Sequence, residues 1–264
     1  MKDSWALVTG ASAGMGRAIA RGLAGRGINI LVNARRENRL LELKEELTRA
    51  HGVHVEPLVF DIGDFKQCET ALKNRQELVS KVSMLVNNAG MAGVPAPMHE
   101  ASIDDWERTI NTNLKGLLYM TRLILPYMVE RNAGHIVNIG SVGGRWTLPG
   151  GVVYCATKFA VRAITEGLRM DLFGKKIRVT NIEPGMVKTE FSLARLGDKE
   201  KADAVYEGFM PLQPKDIAEA VIWCLERPPH VNIQELVVFP TDQAAVGNAY
   251  IHREQTTRTQ RESH

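Results

Sequence analysis

The residues best suited to chemistry in this sequence are Tyr154 and Lys158, four positions apart, and Ser141, thirteen residues before the tyrosine. If this segment is helical, residues at i and i+4 lie on one face, one turn apart. A cation near a phenol favours the phenolate and lowers the tyrosine pKa, so that the phenol can exchange a proton near neutral pH. The Ser141 hydroxyl can contact the same carbonyl oxygen. Together the three side chains predict proton transfer to and from the oxygen of a small molecule.

A glycine-rich segment near the N-terminus, Gly10–Gly16, predicts a loop that binds phosphate. It lies between a predicted strand and a predicted helix, and its spacing G-x-x-x-G-x-G is a variant of the G-x-G-x-x-G dinucleotide fingerprint. Glycine permits positive φ and lets backbone N–H groups approach phosphate oxygens at a helix N-terminus. A plain tight turn is the alternative interpretation. The residues predicted to contact a dinucleotide here are Gly10, Ser12, Gly14, Met15 and Gly16.

The end of the second predicted strand indicates which dinucleotide binds. A protein that binds NAD usually carries an acidic residue there, about 20 residues past the loop, to bond the ribose 2′-hydroxyl. This sequence has Arg35 and Arg36 instead, and planar guanidinium groups suit a 2′-phosphate, so we predict NADP(H). The alternative is that both arginines begin a solvated helix, with Glu37 neutralising one of them. Residues after the third and fourth strands that are predicted to border the cofactor are Asp61, Ile62, Asn88, Ala89 and Gly90.

The elements that must position these residues alternate along the chain. Most of the short β-rich runs are apolar throughout, which is typical of strands buried on both faces. The predicted strands are Trp5–Thr9, Asn29–Asn33, His54–Phe60, Met84–Asn87, His135–Ile139, Arg178–Ile182 and Glu235–Phe239. The predicted helices include Gly14–Arg26, Glu37–Ala50, Asp104–Arg131, Tyr154–Gly174 and Pro214–Leu225. This alternation predicts an α/β fold with a single Rossmann-type, doubly wound, parallel seven-stranded sheet and helices on both faces.

The chain is expected to form a single domain, because no linker-like stretch interrupts the alternation of strands and helices. Residues 1–250 would make up a dinucleotide-binding and catalytic domain. Residues 186–210 have an irregular pattern and are expected to form a substrate flap with a short helix. Residues 251–264 are polar and are expected to form a C-terminal tail.

Composition and charge exclude several classes of protein. The 264 residues are 44% hydrophobic and carry a net charge of +3, with basic and acidic residues interspersed, so we expect no nucleic-acid partner. Three cysteines lie far apart, which predicts neither a disulfide framework nor a zinc site. No window approaches about 18 uncharged apolar residues, and the N-terminus has no signal-peptide pattern. We therefore expect no membrane partner and a cytoplasmic location.

These motifs together resemble the short-chain dehydrogenase/reductase family over nearly the whole chain. The matching elements are Thr9-Gly-x-x-x-Gly14-x-Gly16, Asp61, Asn87-Asn-Ala-Gly90, Asn113, Ser141, Tyr154-x-x-x-Lys158 and Pro184-Gly185. The resemblance implies hydride transfer between a nicotinamide and a carbonyl carbon, for which no metal is needed.

The resemblance also implies a role for each matching residue. Tyr154 would be the general acid for carbonyl reduction and the base for the reverse reaction, with Ser141 orienting the substrate oxygen. Lys158 would bond the nicotinamide ribose and lower the tyrosine pKa. Asn113 would anchor a water that links Lys158 to solvent. The residues implied to hold the nicotinamide carboxamide and begin the flap are Pro184, Gly185, Val187 and Thr189.

Longer segments resemble a narrower branch, the NADP-dependent 3-hydroxy acid dehydrogenases, which include members that act on serine and malonic semialdehyde. Sulfoacetaldehyde reductases are similar to the same branch. The matching stretches are 101–106, 115–122, 125–132, 179–185 and 229–233. This resemblance implies an NADP(H)-dependent oxidoreductase of a small aldehyde or alcohol that bears an anionic group. A general carbonyl reductase of uncharged substrates and a non-catalytic cofactor-binding regulatory protein are the alternatives.

An anionic substrate calls for a cation in the pocket, and two arginines are candidates. Arg195 lies in the predicted flap, and Arg145 follows the predicted catalytic serine, where the branch usually has a small residue. Arginine favours two-point binding of an anion, although most arginines are simply exposed on the surface.

The family pairs subunits through two long helices, here Asp104–Arg131 and Tyr154–Gly174. Both are rich in apolar positions, so we expect a homodimer or homotetramer.

Overall fold

The computed structural model describes residues 3–247 and 251–253, and its strands form one sheet. The strands are β1 (Trp5–Thr9), β2 (Asn29–Ala34), β3 (Val55–Val59), β4 (Val82–Asn87), β5 (Gly134–Ile139), β6 (Ile177–Pro184) and β7 (Glu235–Val238). Their order in the sheet is β3-β2-β1-β4-β5-β6-β7. All neighbouring strands pair in parallel. The predicted parallel seven-stranded sheet is confirmed.

Helices connect the strands and cover both faces of the sheet. They are α1 (Gly14–Ala24), α2 (Glu37–His51), α3 (Phe65–Lys73), α4 (Gln76–Val79), α5 (Ile103–Ile110), α6 (Leu117–Arg131), α7 (Val152–Asp171), α8 (Glu190–Leu196), α9 (Lys199–Ala204) and α10 (Pro214–Leu225). The helix predicted over 104–131 is interrupted between α5 and α6 by a π-helical segment, Asn111–Gly116. A short 3₁₀ turn, Val142–Gly144, follows β5.

The continuous apolar strands bury side chains in two separate cores. In β1, Ala6 and Val8 belong to the core that also contains Ile19 of α1 and Ile217 of α10. The intervening Leu7 belongs to the other core, which is covered by α3 and α6. Because successive side chains of a strand point to opposite faces, a strand covered on both sides needs apolar residues at every position.

The carboxyl ends of the strands converge where the functional residues were predicted. Strands β1 and β4 are neighbours in the sheet, but β1 is followed by β2 on one side and β4 by β5 on the other. The loops after β1 and β4 therefore separate, and a crevice opens between them at the carboxyl ends of the strands. Gly10 follows β1 directly, Asn88 follows β4, and Gly185 follows β6. Ser141 follows β5 after one residue. The topology therefore brings four distant sequence motifs to one crevice.

Strand β3 lies at one edge of the sheet and, in the described part of the chain, pairs only with β2. The His54 carbonyl just before it accepts a hydrogen bond from the Ile30 N–H of β2 at 2.9 Å. Because the backbone groups of successive strand residues point to alternate sides, Val55, Pro57 and Val59 direct their backbone nitrogens outward. Proline has no N–H, and within sheets it is found at such outward edge positions.

The predicted flap contains two short helices, α8 and α9, where a single one was expected. The Tyr206 hydroxyl donates a hydrogen bond to the Val187 carbonyl at 3.0 Å and so holds the end of this segment to its beginning. The Arg253 guanidinium contacts the Val205 carbonyl at 3.1 Å. Residues 248–250 and 254–264, which include most of the predicted tail, lie outside the described residues. Across residues 3–247 and 251–253, no helix is long and apolar enough to cross a membrane.

Candidate active site

The glycine loop is held in a shape that only glycine permits at two positions. Gly10 has a φ of +67°, and a Cβ added at Gly16 would lie 2.3 Å from the Gly10 carbonyl oxygen. The loop also joins the turn after β4, because the Thr9 hydroxyl oxygen accepts hydrogen bonds from the N–H groups of Asn88 and Ala89, each at 3.0 Å. The two loops that border the crevice are therefore fixed to each other.

The N-terminus of α1 is suited to an anion. Its N-cap residue, Ala13, makes no side-chain cap, and the first turn contains no acidic residue. The first N–H groups of a helix have no partner within the helix, and the helix dipole favours negative charge at that end. A phosphate bound at this position would supply the missing hydrogen-bond acceptors.

A cavity of about 520 Å³ extends along the crevice from the glycine loop to the flap. Its size suits an organic cofactor or substrate. The predicted cofactor residues that line it are Gly10, Ser12, Gly14, Met15, Arg35, Arg36, Asp61, Ile62, Asn88, Ala89, Gly90 and Thr189. The predicted cofactor residues that do not line it are Gly16, Tyr154, Lys158, Pro184, Gly185 and Val187.

Gly16 and Gly185 do not line this cavity but pack behind the loops in which they lie. Gly16 is buried beneath the loop, as its contact with the Gly10 carbonyl requires. Gly185 packs against Gln243, whose side-chain oxygen would lie 2.5 Å from an added Cβ. The same oxygen accepts a hydrogen bond from the Met186 N–H at 2.8 Å. The turn after β6 is thus closely packed from behind, and its predicted contact with a nicotinamide stays a prediction.

The two arginines at the end of β2 face the cavity and are largely exposed. Arg36 donates two hydrogen bonds to the Ser12 hydroxyl, at 3.2 and 3.0 Å, and a third to Glu190 of the flap at 3.0 Å. Arg35 contacts the Asp61 carboxylate at 3.4 Å. Glu37, which was expected to neutralise one arginine under the alternative interpretation, forms neither of these ion pairs. The Arg36 guanidinium therefore lies beside the glycine loop and the Arg35 guanidinium beside Asp61, and neither pairs with Glu37.

Tyr154, Ser141 and Lys158 come together at the start of α7. A Cβ added at Gly143 would lie 3.2 Å from the Tyr154 ring and 3.4 Å from the Ser141 hydroxyl oxygen, so both side chains border the same glycine. The buried Lys158 ammonium lies 5.9 Å from the centroid of the tyrosine ring and donates to the Ile139 carbonyl at 2.8 Å. The predicted spacing of the phenol and the ammonium on one helix face is thus observed.

The pKa values of this pair are both shifted by burial. Burial raises the pKa of Tyr154, while a hydrogen bond from Ser141 and the charge of Arg195 act in the opposite direction. Burial lowers the pKa of Lys158 to about 8. The Lys158 ammonium is directed at a backbone carbonyl, and its predicted lowering of the tyrosine pKa stays a prediction. Burial thus favours the protonated phenol.

Asn113 is positioned by the π-helical segment between α5 and α6. Its side-chain oxygen accepts a hydrogen bond from the Met91 N–H at 2.8 Å, and its amide donates to the Met91 carbonyl at 2.8 Å and to the Thr157 hydroxyl at 3.1 Å. These bonds connect the loop after β4 to α7 one residue before Lys158. Short π segments inside helices often occur at functional sites. The predicted water between Asn113 and Lys158 stays a prediction.

Arg195 borders the cavity from the flap, and its predicted contact with substrate stays a prediction. It lines the 520 Å³ cavity and also a smaller adjoining pocket of about 40 Å³, which Tyr154 lines too. Its Nε atom is buried and has no hydrogen-bond partner among the described residues. A buried donor without a partner is uncommon and costs free energy. The guanidinium that carries this nitrogen borders both pockets, so its charge faces a ligand bound beside the tyrosine.

Arg145 lies elsewhere, which corrects its prediction as a substrate ligand. It lines neither of these two pockets. Its guanidinium is bonded to the carboxylates of Glu183 and Glu235. Both carboxylates are distant in sequence, so the residues around Arg145 could not reveal them.

The cavity also contains residues that the sequence interpretation did not single out. Phe191 of α8 has its ring centroid 6.1 Å from that of Tyr154 and covers the site from the flap. Its position in the predicted flap, next to Thr189, was an available signal. Further lining residues include Met91, Ala92, Gly93, Val94, Asp105, Arg108, Thr112 and Glu190. The first four directly continue the predicted turn at Asn88–Gly90, so extending that turn would have found them.

Known proteins resemble this chain in sequence and in structure. The sequence pattern of the short chain dehydrogenase family matches residues 4–200. An NADP-dependent 3-hydroxy acid dehydrogenase of Escherichia coli O6:H1 is 46% identical over 250 residues, which is 94% of this chain and 99% of that protein. Sulfoacetaldehyde reductase 2 of Chromohalobacter salexigens is 44% identical over 240 residues, which is 90% of this chain and 94% of that protein. The structure of the closed form of serine dehydrogenase complexed with NADP⁺ superposes on this one with a TM-score of 0.86 and is 45% identical in sequence. The superposition covers 95% of this chain and 100% of the serine dehydrogenase chain.

Proposed function

This chain belongs to the short-chain dehydrogenase/reductase family, as its motifs predicted, and we propose that it uses NADP(H) to interconvert two kinds of small molecule. One is an aldehyde or ketone bearing an anionic group, and the other is the corresponding hydroxy acid or hydroxy sulfonate. The observation that carries the choice of substrate is the Arg195 guanidinium, which borders the pocket that Tyr154 also lines and whose Nε has no partner among the described residues. A carboxylate or sulfonate on the substrate would pair with this guanidinium. The names of the similar 3-hydroxy acid dehydrogenase and sulfoacetaldehyde reductase support the same class of substrate.

The residues of the crevice fit NADP(H). The first turn of α1 has no side-chain cap and no acidic residue, so it can accept a phosphate. Arg36 donates hydrogen bonds to the Ser12 hydroxyl, and a bound 2′-phosphate would replace that hydroxyl as the acceptor. Names of similar proteins also support NADP. When bound, the cofactor supplies a hydride to the carbonyl carbon or accepts it in reverse.

The proposed mechanism uses two side chains at the substrate and one at the cofactor. Tyr154 donates a proton to the substrate oxygen during reduction and accepts it back during oxidation. Ser141 orients that oxygen by a hydrogen bond, and Lys158 binds the nicotinamide ribose. Burial keeps the phenol protonated at neutral pH, so the reducing direction needs no further change of protonation state before reaction. Asn113 keeps the loop after β4 and α7 in contact around Lys158.

A panel of aldehydes tests the substrate proposal. We expect reduction of succinic semialdehyde, malonic semialdehyde or sulfoacetaldehyde with NADPH at a higher kcat/KM than reduction of propanal, followed by loss of nicotinamide absorbance. Equal rates on charged and uncharged aldehydes would favour a general carbonyl reductase. NADPH binding without turnover of any aldehyde would favour a regulatory protein.

Replacing Arg35 and Arg36 with alanine tests the cofactor. Each charge-assisted hydrogen bond to a 2′-phosphate contributes about 1.5–3 kcal/mol, so the double variant should bind NADPH much more weakly and NADH about as well as before. The measurement is the Kd of each cofactor by fluorescence titration. Arg39→Ala, which removes an exposed arginine in the first turn of α2, is the matched control and should bind both cofactors normally. An equal loss for NADPH and NADH would show that the arginines support the helix and not the phosphate.

We also propose that the protein is a homodimer or homotetramer paired through α6 and α7. Leu118 is 43%, Phe159 40% and Met170 62% exposed on these helices. Apolar side chains exposed together on neighbouring helices indicate a protein partner. Light scattering should give a mass that is a multiple of 29.3 kDa, and Phe159→Glu should reduce it. A wild-type mass of one chain would contradict the proposal.

A further inference from the structure

Two arginines and two glutamates form a connected group of ion pairs, called here the arginine–glutamate cluster. The Arg145 guanidinium bonds Glu183 through Nε and Glu235 through Nη2. The Arg162 Nε donates to the second oxygen of Glu235 at 2.8 Å. The two positive and two negative charges balance within the cluster. Glu235 thus receives both arginines, and Arg145 reaches both glutamates.

The cluster extends from the interior of the protein, at Glu183, to the surface, where the Arg162 side chain is 40% exposed. The Glu183 side chain is 0% exposed, and those of Arg145 and Glu235 are each 23% exposed. The second oxygen of Glu183 accepts a hydrogen bond from the Asn181 amide at 2.7 Å. Burial raises the pKa of the Glu183 carboxyl, and the hydrogen bond and charge of Arg145 oppose that rise. A carboxylate in such surroundings is retained at a cost in free energy unless it is closely paired.

Arg145 is attached to the segment that carries Ser141. Ser141 begins the 3₁₀ turn Val142–Gly144, and Arg145 ends it. The turn is packed tightly against α7, because a Cβ added at Gly144 would lie 2.7 Å from the Lys158 carbonyl oxygen. A shift of Arg145 would therefore be transmitted to Ser141 and to the contact with Lys158.

The other members of the cluster are attached to the remaining parts of the proposed site. Arg162 lies one helical turn after Lys158 on α7. Glu183 immediately precedes the Pro184-Gly185 turn at the end of β6. Glu235 begins β7, next to β6. One set of ion pairs thus connects the serine turn, the helix with the tyrosine and lysine, and the turn predicted to face the nicotinamide.

We propose that Arg145 is a positioning residue that fixes Ser141 relative to Tyr154 and Lys158 through the arginine–glutamate cluster. This inference rests on the proposed function, in which Ser141 and Tyr154 act on one substrate oxygen and Lys158 binds the nicotinamide ribose. A planar guanidinium can bond two carboxylates at once in a fixed geometry, whereas a lysine ammonium is a flexible point charge. Arginine is therefore required at this position by the two partners it connects, and the substrate does not contact it.

Arg145→Met should lower kcat about 10-fold or more, since small displacements of reacting groups reduce rates strongly. The loss should be equal for a semialdehyde and for propanal, and the Kd for NADPH should not change.

Arg145→Lys keeps Glu183 paired, so it should retain the wild-type Tm while its kcat stays below wild type. The matched control is Arg26→Met, which removes the Arg26–Glu226 ion pair far from the site and should leave kcat unchanged.

Three results would overturn the proposal. A loss confined to the anionic aldehyde would make Arg145 a substrate ligand. A normal kcat in folded Arg145→Met would make the cluster purely stabilising. A normal kcat in Arg145→Lys would mean that charge alone suffices, and this variant decides the matter if the methionine variant does not fold.

A measurement without turnover separates this inference from the proposed function. Hydrogen exchange of the peptide spanning residues 140–146 should be faster in Arg145→Lys than in the wild type, while α10 should exchange unchanged. Should the wild type reduce no aldehyde, the proposed function fails and this exchange alone decides whether the cluster fixes the serine turn. Unchanged exchange in that peptide would overturn the positioning role.

Discussion

Tyr154→Phe should lower kcat for carbonyl reduction by at least ~10²-fold, the usual scale for loss of a positioned acid. The substitution removes one oxygen atom and keeps the ring that lies beside Gly143 and Phe191. Packing and the Kd for NADPH should therefore stay close to wild type. Steady-state kinetics with a semialdehyde, together with a cofactor titration, measure the two quantities separately.

The matched control is Tyr119→Phe, which removes the same atom from a tyrosine that packs against Phe65 on α3, away from the cavity. It should leave kcat unchanged. Near-normal turnover in Tyr154→Phe would refute the proposed mechanism, whereas equal losses in both variants would indicate a general sensitivity to losing a hydroxyl.

The raised pKa of Tyr154 sets the direction of the pH dependence. Reduction needs the protonated phenol, so its rate should decrease as the pH rises toward the raised pKa, and the loss of the Lys158 charge near its pKa of about 8 adds to that decrease. Oxidation needs the phenolate, so its rate should increase with pH over the same range. Rate profiles of the two directions that change with pH in the same sense would contradict this assignment.

Arg195→Ala should lower kcat/KM for an anionic aldehyde by about 30- to 10³-fold, which corresponds to roughly 2–4 kcal/mol for a charge left without its partner. Reduction of propanal should scarcely change, because no charge on that substrate needs the guanidinium. The unpartnered Nε of Arg195 and its place beside Tyr154 are the reasons for this selectivity.

Comparison with Arg145→Met makes the Arg195 experiment specific. Both variants lose one arginine, yet only Arg195 lines the pockets, so only Arg195→Ala should distinguish charged from uncharged aldehydes. Arg195→Lys should recover part of the lost rate, since a point charge replaces one part of a two-point contact. If Arg195→Ala affects both aldehydes equally, or neither, the pocket does not select an anion.

The sheet was predictable because its physical cause is local in the sequence. A strand covered by helices on both faces must be apolar at nearly every position, and β1 was predicted with both of its bounds, Trp5–Thr9. Strand β4 begins at Val82, two residues before its predicted start at Met84. The polar Ser83 interrupts the apolar run there, although its hydroxyl bonds the Trp5 carbonyl across the sheet.

The site was predictable where neighbouring residues define the geometry, and it was not where distant ones do. Tyr154 and Lys158 share a helix, so their spacing was sufficient. The partners of Arg145 lie 38 and 90 residues away, and no local pattern marks an ion pair over such distances. The π segment that positions Asn113 was also missed, because a widened helical turn has no distinctive residue pattern of its own.

Pro57 has a consequence for what happens before the protein is folded. Parallel sheets bring together distant parts of the chain and therefore form slowly, and during that time an unpaired strand edge can recruit the same edge of another molecule. On the outward side of β3, the middle of the three backbone nitrogens carries no hydrogen, because it belongs to Pro57. A second chain that approached this edge would find a donor missing at the centre of the strand, while the pairing of β3 with β2 loses nothing. We therefore expect Pro57 to disfavour edge-to-edge pairing of chains during synthesis and refolding without weakening the native sheet.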